Sequence, residues 1–197
     1  MKRFFCFILV ISLIGCSFFK PVKATDAGNA SPHNFKGTVL DFSRLTLGGK
    51  ILILPFNPGE AVGADEDYDK VSLMIIRGFY DILGDGPGKP DNNNTGLLFD
   101  VIFDEEDNNA GMVLDGRITA IKKTAKNSMI FIGKSVTFEV SAEGSLTDKS
   151  SGRKIAVFED KKSLNAKDGD YGVLGRQIGR DIGKFLVESL NVPKERD

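Results

Sequence analysis

The sequence predicts an α+β domain in which a mixed β-sheet of about five strands carries two helices packed on one face. Three patterns in the chain predict this class. Apolar residues recur at helical spacing in two segments, alternate with polar residues in a third, and form short apolar runs elsewhere. The resulting order is strand, helix, four strands, helix, which indicates that both helices lie on the same face of the sheet.

The first strand and the first helix are predicted between residues 49 and 84. The run GKILILPFNP is short and apolar and is ended by Pro55 and Pro58, which is typical of a buried strand. The segment DKVSLMIIRGFYDILG predicts a helix, and Gly84 suits its end. The apolar positions of that helix are Val71, Met74, Ile75, Phe79, Ile82 and Leu83. The composition of the following DGPGKPDNNNTG predicts a loop.

Four further strands are predicted before the last helix. The segments LLFDVIF and MVLDGRITAIKK give the first two. In SVTFEVSAEG, apolar residues alternate with polar ones, which predicts a half-buried strand. A polar turn at Asp148–Gly152 joins this strand to a partner over Lys154–Glu159, so the two form a hairpin.

The segment DYGVLGRQIGRDIGKFLVESL predicts the second helix, which carries two neighbouring stripes. The apolar stripe consists of Leu174, Ile178, Ile182 and Phe185, and the glycine stripe of Gly175, Gly179 and Gly183. Each interior glycine costs a helix roughly 0.5–1 kcal/mol relative to alanine, so three in register indicate a compensating contact. That contact is either packing within the domain, on the sheet or the first helix, or an interface with a helix of another subunit. Charged residues recur in every turn and exclude a membrane span.

The N-terminus has the pattern of an export signal. Lys2 and Arg3 precede an uncharged, mostly apolar run, which is shorter than the roughly 20 residues of a spanning helix. The run ends in Leu13-Ile14-Gly15-Cys16, which resembles the lipobox of bacterial lipoproteins. A plain secretory signal and an uncleaved helix are the alternatives.

The lipobox resemblance implies how the protein is held at a membrane. It implies cleavage before Cys16, attachment of diacylglycerol to the thiol, and acylation of the new amine, for example by palmitate. Two or more lipid chains hold a protein stably, because each buried CH₂ contributes about 0.8 kcal/mol. Ser17 follows the cysteine and, under the best-known sorting rule, implies export to the outer membrane facing the periplasm. Retention in the inner membrane is the alternative.

Composition agrees with an envelope protein. Cys6 leaves with the signal and Cys16 would be lipidated, so neither of the two cysteines remains for a disulfide, a metal or a nucleophile. Removing residues 1–15 takes away two of the 26 basic residues and none of the 27 acidic ones, leaving 24 against 27, a net charge of −3. With no strong basic field, no nucleic-acid partner is expected.

The chain divides into four predicted parts. They are a lipoprotein signal peptide over residues 1–15, the lipidated cysteine and a flexible tether over 16–36, a single α+β domain over 37–190, and a C-terminal tail over 191–197. The tether is polar and cannot bury enough surface to offset its chain entropy. His33, the single histidine, lies in this tether and is expected to be solvated.

The sequence predicts no catalytic, cofactor-binding or metal-binding residue. Asp65, Asp67 and Asp69 alternate as in the start of a calcium loop, but the sixth and twelfth positions hold Lys70 and Ile76. These acidic residues also suit the N-terminus of the helix that follows. DNNNTG starts a better calcium loop but lacks the last carboxylate. FDEEDNNAG could supply paired carboxylates for glycoside chemistry, and a charged turn is the simpler interpretation.

Several segments together resemble a superfamily of bacterial envelope lipoproteins. They are VLDGRITAIKK, the insertion NSMIFIGK, the hairpin SVTFEVSAEGSLTDKSSGRKIAVFE and the closing helix, and they cover roughly residues 50–190. The superfamily includes LpoB, the activator of a peptidoglycan synthase, and the curli-secretion lipoprotein CsgG, and the likeness is closest to members without an assigned role. The resemblance implies a fold and an envelope setting, and Cys16 is the one functional residue it supplies.

Three functions follow from these observations. The first is a non-enzymatic binding or regulatory module of an envelope machine for cell-wall synthesis, secretion or transporter assembly. The sequence does not identify its protein partner. The second is a subunit of a homo-oligomeric secretion ring or pore, with the glycine stripe at the interface. The third is an enzyme acting on cell-wall glycan. The single histidine, the absence of tryptophan and the lack of a Ser-His-Asp or Cys-His set disfavour the enzyme.

Overall fold

Seven strands and three helices make up the part of the chain that the computed structural model describes, which is residues 34–62, 67–83, 99–102, 109–127, 134–166 and 169–190. In chain order the elements are β1 (Lys36–Val39), α1 (Phe42–Thr46), β2 (Gly49–Ile53), β3 (Asn57–Pro58), α2 (Tyr68–Leu83), β4 (Phe99–Ile102), β5 (Met112–Asn127), β6 (Lys134–Asp148), β7 (Lys154–Ala166) and α3 (Tyr171–Leu190).

The seven strands form one mixed sheet in the order β1-β7-β6-β5-β2-β4, and β3 also pairs with β5. The pairs β1–β7, β7–β6 and β6–β5 are antiparallel. β2 and β3 pair in parallel with β5, and β4 pairs in parallel with β2. Parallel neighbours such as β2 and β4 need a crossover connection, and α2 lies in it. The predicted α+β class with a mixed sheet is confirmed.

Both long helices pack on the same face of the sheet. α2 and α3 contact each other extensively, α3 also contacts β1, β6 and β7, and α2 contacts β4 and β5. The core between the helices and the sheet includes fully buried Ile75 and Phe79 from α2, Ile178 and Ile182 from α3, and Val140 from β6. This continuous apolar layer holds the two helices on the sheet.

The structure contains two strands and one helix more than the sequence predicted. The additional elements β1, β3 and α1 have four, two and five residues, which is too short to display a hydrophobic period. The segment GKILILPFNP, predicted as one strand, forms two. β2 ends at Ile53, before Pro55, and β3 contains only Asn57 and Pro58. β1 begins at Lys36, the residue at which the predicted tether ended.

The hairpin of β6 and β7 has the predicted turn. The N–H of Asp148 donates to the carbonyl of Arg153 at 2.9 Å, and the N–H of Gly152 donates to the carbonyl of Asp148 at 2.8 Å. Gly152 has a φ of 69°, in the left-handed region that glycine adopts without strain. β7 continues to Ala166, well beyond the predicted end at Glu159.

Candidate functional site

Most residues to which the sequence assigned chemistry lie outside the described part of the chain. These are Cys16, His33, Asp65, the loop DNNNTG and the carboxylates of FDEEDN. Asp67 lies directly before α2, where its carbonyl accepts the N–H of Val71, and Asp69 lies in the first turn. Both carboxylates suit the positive end of the helix dipole. Within the described ranges, no group of three or more His, Cys, Asp or Glu side chains is arranged to hold a metal ion.

The glycine stripe of α3 faces α2 inside the domain, and we call this contact between α2 and α3 the helix seam. A Cβ at Gly179 would lie 1.9 Å from the carbonyl oxygen of Ile75 and 2.7 Å from the backbone nitrogen of Phe79. The facing pairs are Gly175 with Val71, Gly179 with Ile75, and Gly183 with Ile82. Because these pairs advance in the same direction along both helices, α2 and α3 run parallel.

The close approach in the helix seam is reciprocal. A Cβ at Gly78 of α2 would lie 2.0 Å from the carbonyl oxygen of Arg176 in α3. Real Cβ atoms essentially never come within 3.0 Å of another heavy atom of this kind, so no side chain fits at either position. At the surface of the seam, the Arg176 guanidinium donates to both carboxylate oxygens of Asp81, at 2.7 and 2.9 Å. Backbone contact and a bidentate ion pair therefore hold the helices together.

The sheet face opposite the helices is polar, and we call it the open face. In the described part of the chain it carries three cross-strand ion pairs, Lys36–Glu159, Arg117–Glu143 and Lys161–Glu139. The latter two have N–O distances of 2.6 and 2.9 Å. A concave region of about 770 Å³ lies on this face between β1, β3, β5, β6 and β7. Charges of both signs alternate there, so the open face has no field of a single sign.

A second polar cluster joins α1 to the β6–β7 turn. Arg44 donates from Nε to the Asp148 carboxylate and from Nη2 to the carbonyl of Gly111, at 3.1 Å for the latter. Ser150 donates its hydroxyl to Asp148 at 2.5 Å, and Ser151 donates its N–H at 2.8 Å. The Ser150 hydrogen bond, followed by the Arg44 and Ser151 contacts, lowers the pKa of Asp148 strongly. The polar groups of this cluster hydrogen-bond with one another, which indicates a structural role.

A buried charged triad joins β7 to α3. The ammonium of Lys162 lies 3.3 Å from Asp160 Oδ1 and 2.5 Å from Asp181 Oδ2. The side chain of Asp160 is fully buried, and neither of its oxygens makes a hydrogen bond of normal geometry with the residues that the structure describes. Burial raises the pKa of Asp160, Lys162 opposes the rise, and Asp181 adds to it. The Asp160 carboxylate is closed to a substrate, whereas Asp181 is partly exposed and also lies 3.7 Å from the ammonium of Lys184.

The sequence interpretation missed this triad, although one signal for it was present. Phe158 points into the core, and strand alternation puts Asp160 and Lys162 on the same inward face of β7. A charged pair on an inward face has to be paired, because an isolated buried charge is costly. Its third member, Asp181, comes from α3 and could not be assigned from local pattern.

This chain is similar in fold to several solved structures. PelC from Paraburkholderia phytofirmans, described as a dodecamer, has 11% identity over 83% of this chain and 100% of that chain, with a TM-score of 0.48. Lipoprotein GNA1162 from Neisseria meningitidis has 12% identity over 70% of this chain and 97% of that chain, with a TM-score of 0.41. Protein CT253 from Chlamydia trachomatis has 12% identity over 74% of this chain and 99% of that chain, with a TM-score of 0.44.

The structural neighbours of this chain thus include bacterial lipoproteins. At this level of identity the likeness concerns the course of the chain and not its ligands or partners. No protein-family model and no curated protein sequence matches the chain. Among the described helices, none is long and apolar enough to cross a membrane.

Proposed function

We propose that this protein is a lipid-anchored lipoprotein of the bacterial envelope, similar to the LpoB and CsgG superfamily, and acts as a non-enzymatic binding or regulatory module. The observation that carries the proposal is Leu13-Ile14-Gly15-Cys16 at the end of an apolar run. A polar segment then separates Cys16 from Lys36, where β1 begins. Ser17 favours the outer membrane, facing the periplasm. Two or more lipid chains on Cys16 would hold the domain there.

The open face is the surface we assign to an envelope protein partner. Its ion pairs are exposed, and such pairs contribute only about 0–1 kcal/mol each. Exchanging them for a partner's charges therefore costs little, which suits reversible binding in a machine for cell-wall synthesis, secretion or transporter assembly. The full burial of Asp160 and the pairing of both Asp160 and Asp181 with Lys162 disfavour their use as the paired carboxylates of a glycan-acting enzyme.

Labelling with a fatty-acid analogue tests the anchor. In a bacterial host, the parent chain should incorporate the analogue, and Cys16→Ser should accumulate as an unlabelled precursor of higher mass. Cys6→Ser is the matched control, since it removes the other cysteine of the signal and should leave labelling unchanged. Persistent labelling of Cys16→Ser would contradict the lipidation of that residue.

Capture from detergent-solubilised envelope membranes tests the module. The parent should recover a defined envelope complex, and charge reversal on the open face by Arg117→Glu should reduce that recovery. Arg180→Glu makes the same charge change on exposed α3 and serves as the control. Equal recovery by all three proteins would show that the partner does not use the open face. Turnover of purified cell wall by the parent would favour the enzyme instead, and the solution mass of the parent tests the homo-oligomer.

A further inference from the structure

One edge of β5 extends beyond the strands that flank it. β2 and β3 pair with β5 only as far as Ile118. Pro58 cannot donate a backbone hydrogen bond and ends β3, and the N–H of Gly59 makes the last contact, 2.8 Å from the Ile118 carbonyl oxygen. Among the residues that the structure describes, 120–127 of β5 therefore have a ladder partner only in β6, and Thr119 lies at a register shift. We call the β5 segment 119–127 the β5 edge.

The β5 edge begins at a bulge and carries exposed lysines. The register shifts at Thr119, between Ile118 and Ala120, and such a bulge turns a strand away from its neighbours. The side chains of the four residues 122–125 are exposed, and they include Lys122 and Lys123. Consecutive residues of a strand point to opposite faces, so one lysine stands on each side of the edge.

Neither Lys122 nor Lys123 is paired with a carboxylate in the described part of the chain. Lys122 stands opposite Glu139 in the ladder, but Glu139 is paired with Lys161 at 2.9 Å. The ammonium of Lys123 lies 5.5 Å from the centroid of the Phe138 ring, a cation–π distance that leaves its charge unneutralised. Within the described residues, the edge therefore combines backbone groups that no neighbouring strand uses with the charges of Lys122 and Lys123.

We propose that the β5 edge binds an extended acidic segment of a partner protein, which joins the sheet as a further strand. An unpaired edge presents a row of N–H and C=O groups that an incoming strand can use. Directly opposed residues of neighbouring strands lie about 5 Å apart, and opposite charges in such pairs attract. Two consecutive acidic residues in the incoming strand would face Lys122 and Lys123, one on each side. The inference does not depend on lipid at Cys16.

The positive charges of the β5 edge also disfavour some binding partners. Two β5 edges from two copies of this chain, paired at residues 122 and 123, would place like charges opposite one another, which is destabilising. A second copy is therefore a poor occupant. An anionic lipid surface would attract the same lysines but would leave the backbone groups unused, and this difference separates the two in an experiment.

Fluorescence anisotropy with the full-length protein in a neutral detergent tests the proposal. The probe is a labelled peptide of sequence Thr-Val-Glu-Glu-Val-Thr. Its first control replaces both Glu by Gln. Its second replaces both Val by Pro, which removes the backbone donor of whichever Val faces β5 while keeping the charge. We expect saturable binding of the probe, about tenfold weaker binding of the Gln peptide, and no binding of the Pro peptide.

A charge exchange completes the test. The Lys122→Glu, Lys123→Glu double variant should no longer bind the Glu-Glu peptide. It should instead bind a peptide in which Lys-Lys replaces Glu-Glu and the other residues are unchanged. Lys149→Glu, at an exposed lysine of the β6–β7 turn, should bind as the parent does. Failure of the parent to bind the Glu-Glu peptide would overturn the proposal. The proposal would also be overturned if the parent bound the Glu-Glu and Pro peptides equally well and bound anionic vesicles too. The β5 edge would then act only as a patch of positive charge.

Discussion

Alanine at Gly179 should destabilise the protein, although alanine is the better helix former. In an exposed helix interior this change would gain about 1 kcal/mol. In the helix seam, the new Cβ would lie 1.9 Å from the Ile75 carbonyl oxygen, 1.1 Å short of the 3.0 Å that real Cβ atoms keep. The obstructing atom belongs to the backbone of α2 and cannot rotate away. The two helices must therefore move apart.

The magnitude follows from the two opposing effects. Overpacking costs typically about 1–3 kcal/mol and occasionally more, and a backbone obstruction belongs at the upper end of that range. Subtracting the gain in helix propensity leaves a net loss of about 2 kcal/mol. In a domain of this size each kcal/mol lowers Tm by roughly 3 °C, so we expect Tm to fall by about 6 °C.

Two other glycines of α3 give a graded series with the same chemical change. A Cβ at Gly172 would meet side chains and no backbone atom among its three nearest neighbours, Asp170 Oδ1 at 3.1 Å and Lys70 Cε and Met74 Cγ at 3.3 Å. Gly172→Ala should therefore stay within about 0.5 kcal/mol of the parent. A Cβ at Gly175 would lie 2.8 Å from the Val71 carbonyl oxygen, so Gly175→Ala should fall between the other two variants.

Thermal and urea unfolding, with solution mass on the same samples, decide the outcome. The expected order of stability is Gly172→Ala, then Gly175→Ala, then Gly179→Ala. A Gly179→Ala protein as stable as Gly172→Ala would refute the backbone contact between α2 and α3. A normal Tm accompanied by a fall in solution mass would place the glycine stripe at a subunit interface instead.

Three further substitutions test the buried charges. Asp148→Asn should lower Tm at pH 7, because Ser150 and Arg44 lower the pKa of Asp148, and the difference from the parent should shrink as pH falls below about 4. Asp160→Asn should raise Tm at pH 7, because burial raises the pKa of Asp160, and this gain should vanish below about pH 4, where the carboxyl is protonated in both states. Lys162→Met should cost roughly 3 kcal/mol in urea unfolding at pH 7, because the fully buried Asp160 loses its cation, while Asp181 keeps Lys184 at 3.7 Å. Parallel pH trends for the two Asn variants would contradict the assigned pKa directions.

Periodicity predicted the elements that are long enough to display a period. The alternation in SVTFEVSAEG predicted a half-buried strand, and the inward residues Phe138 and Val140 of β6 are buried. On α3 the predicted stripe was one residue off at its end. Phe185 is only partly buried, beside Phe35 at a ring-centroid distance of 5.4 Å, and Leu186 is the residue in the core. A helix that packs on both a sheet and another helix has a broader buried face than a single stripe.

The remaining features depend on contacts between distant segments. The sequence showed the glycine stripe but not its partner. Ile75 lies about a hundred residues before Gly179, and only the folded topology brings the two together. The pairing of Lys162 with Asp181 is non-local in the same way. β1 and β3 carry no period at all, because their neighbours in the sheet determine their pairing.

The helix seam determines which surfaces remain open to partners. By holding α2 and α3 side by side, it gathers both helices on one face and leaves the open face and the β5 edge exposed in the described structure. The register of β1, with Lys36 opposite Glu159 and Val39 opposite Ala156, makes the chain enter the sheet from the end at which β7 continues to Ala166. β6 connects that end to the β5 edge, because Val136 pairs with both Ala166 and Ala125. The described chain therefore enters β1 at the same end of the sheet as the β5 edge. The N-terminal end of β1 and the β5 edge thus lie at one end of the sheet, with β7 and β6 between them, and a strand added at the β5 edge would lie at that same end.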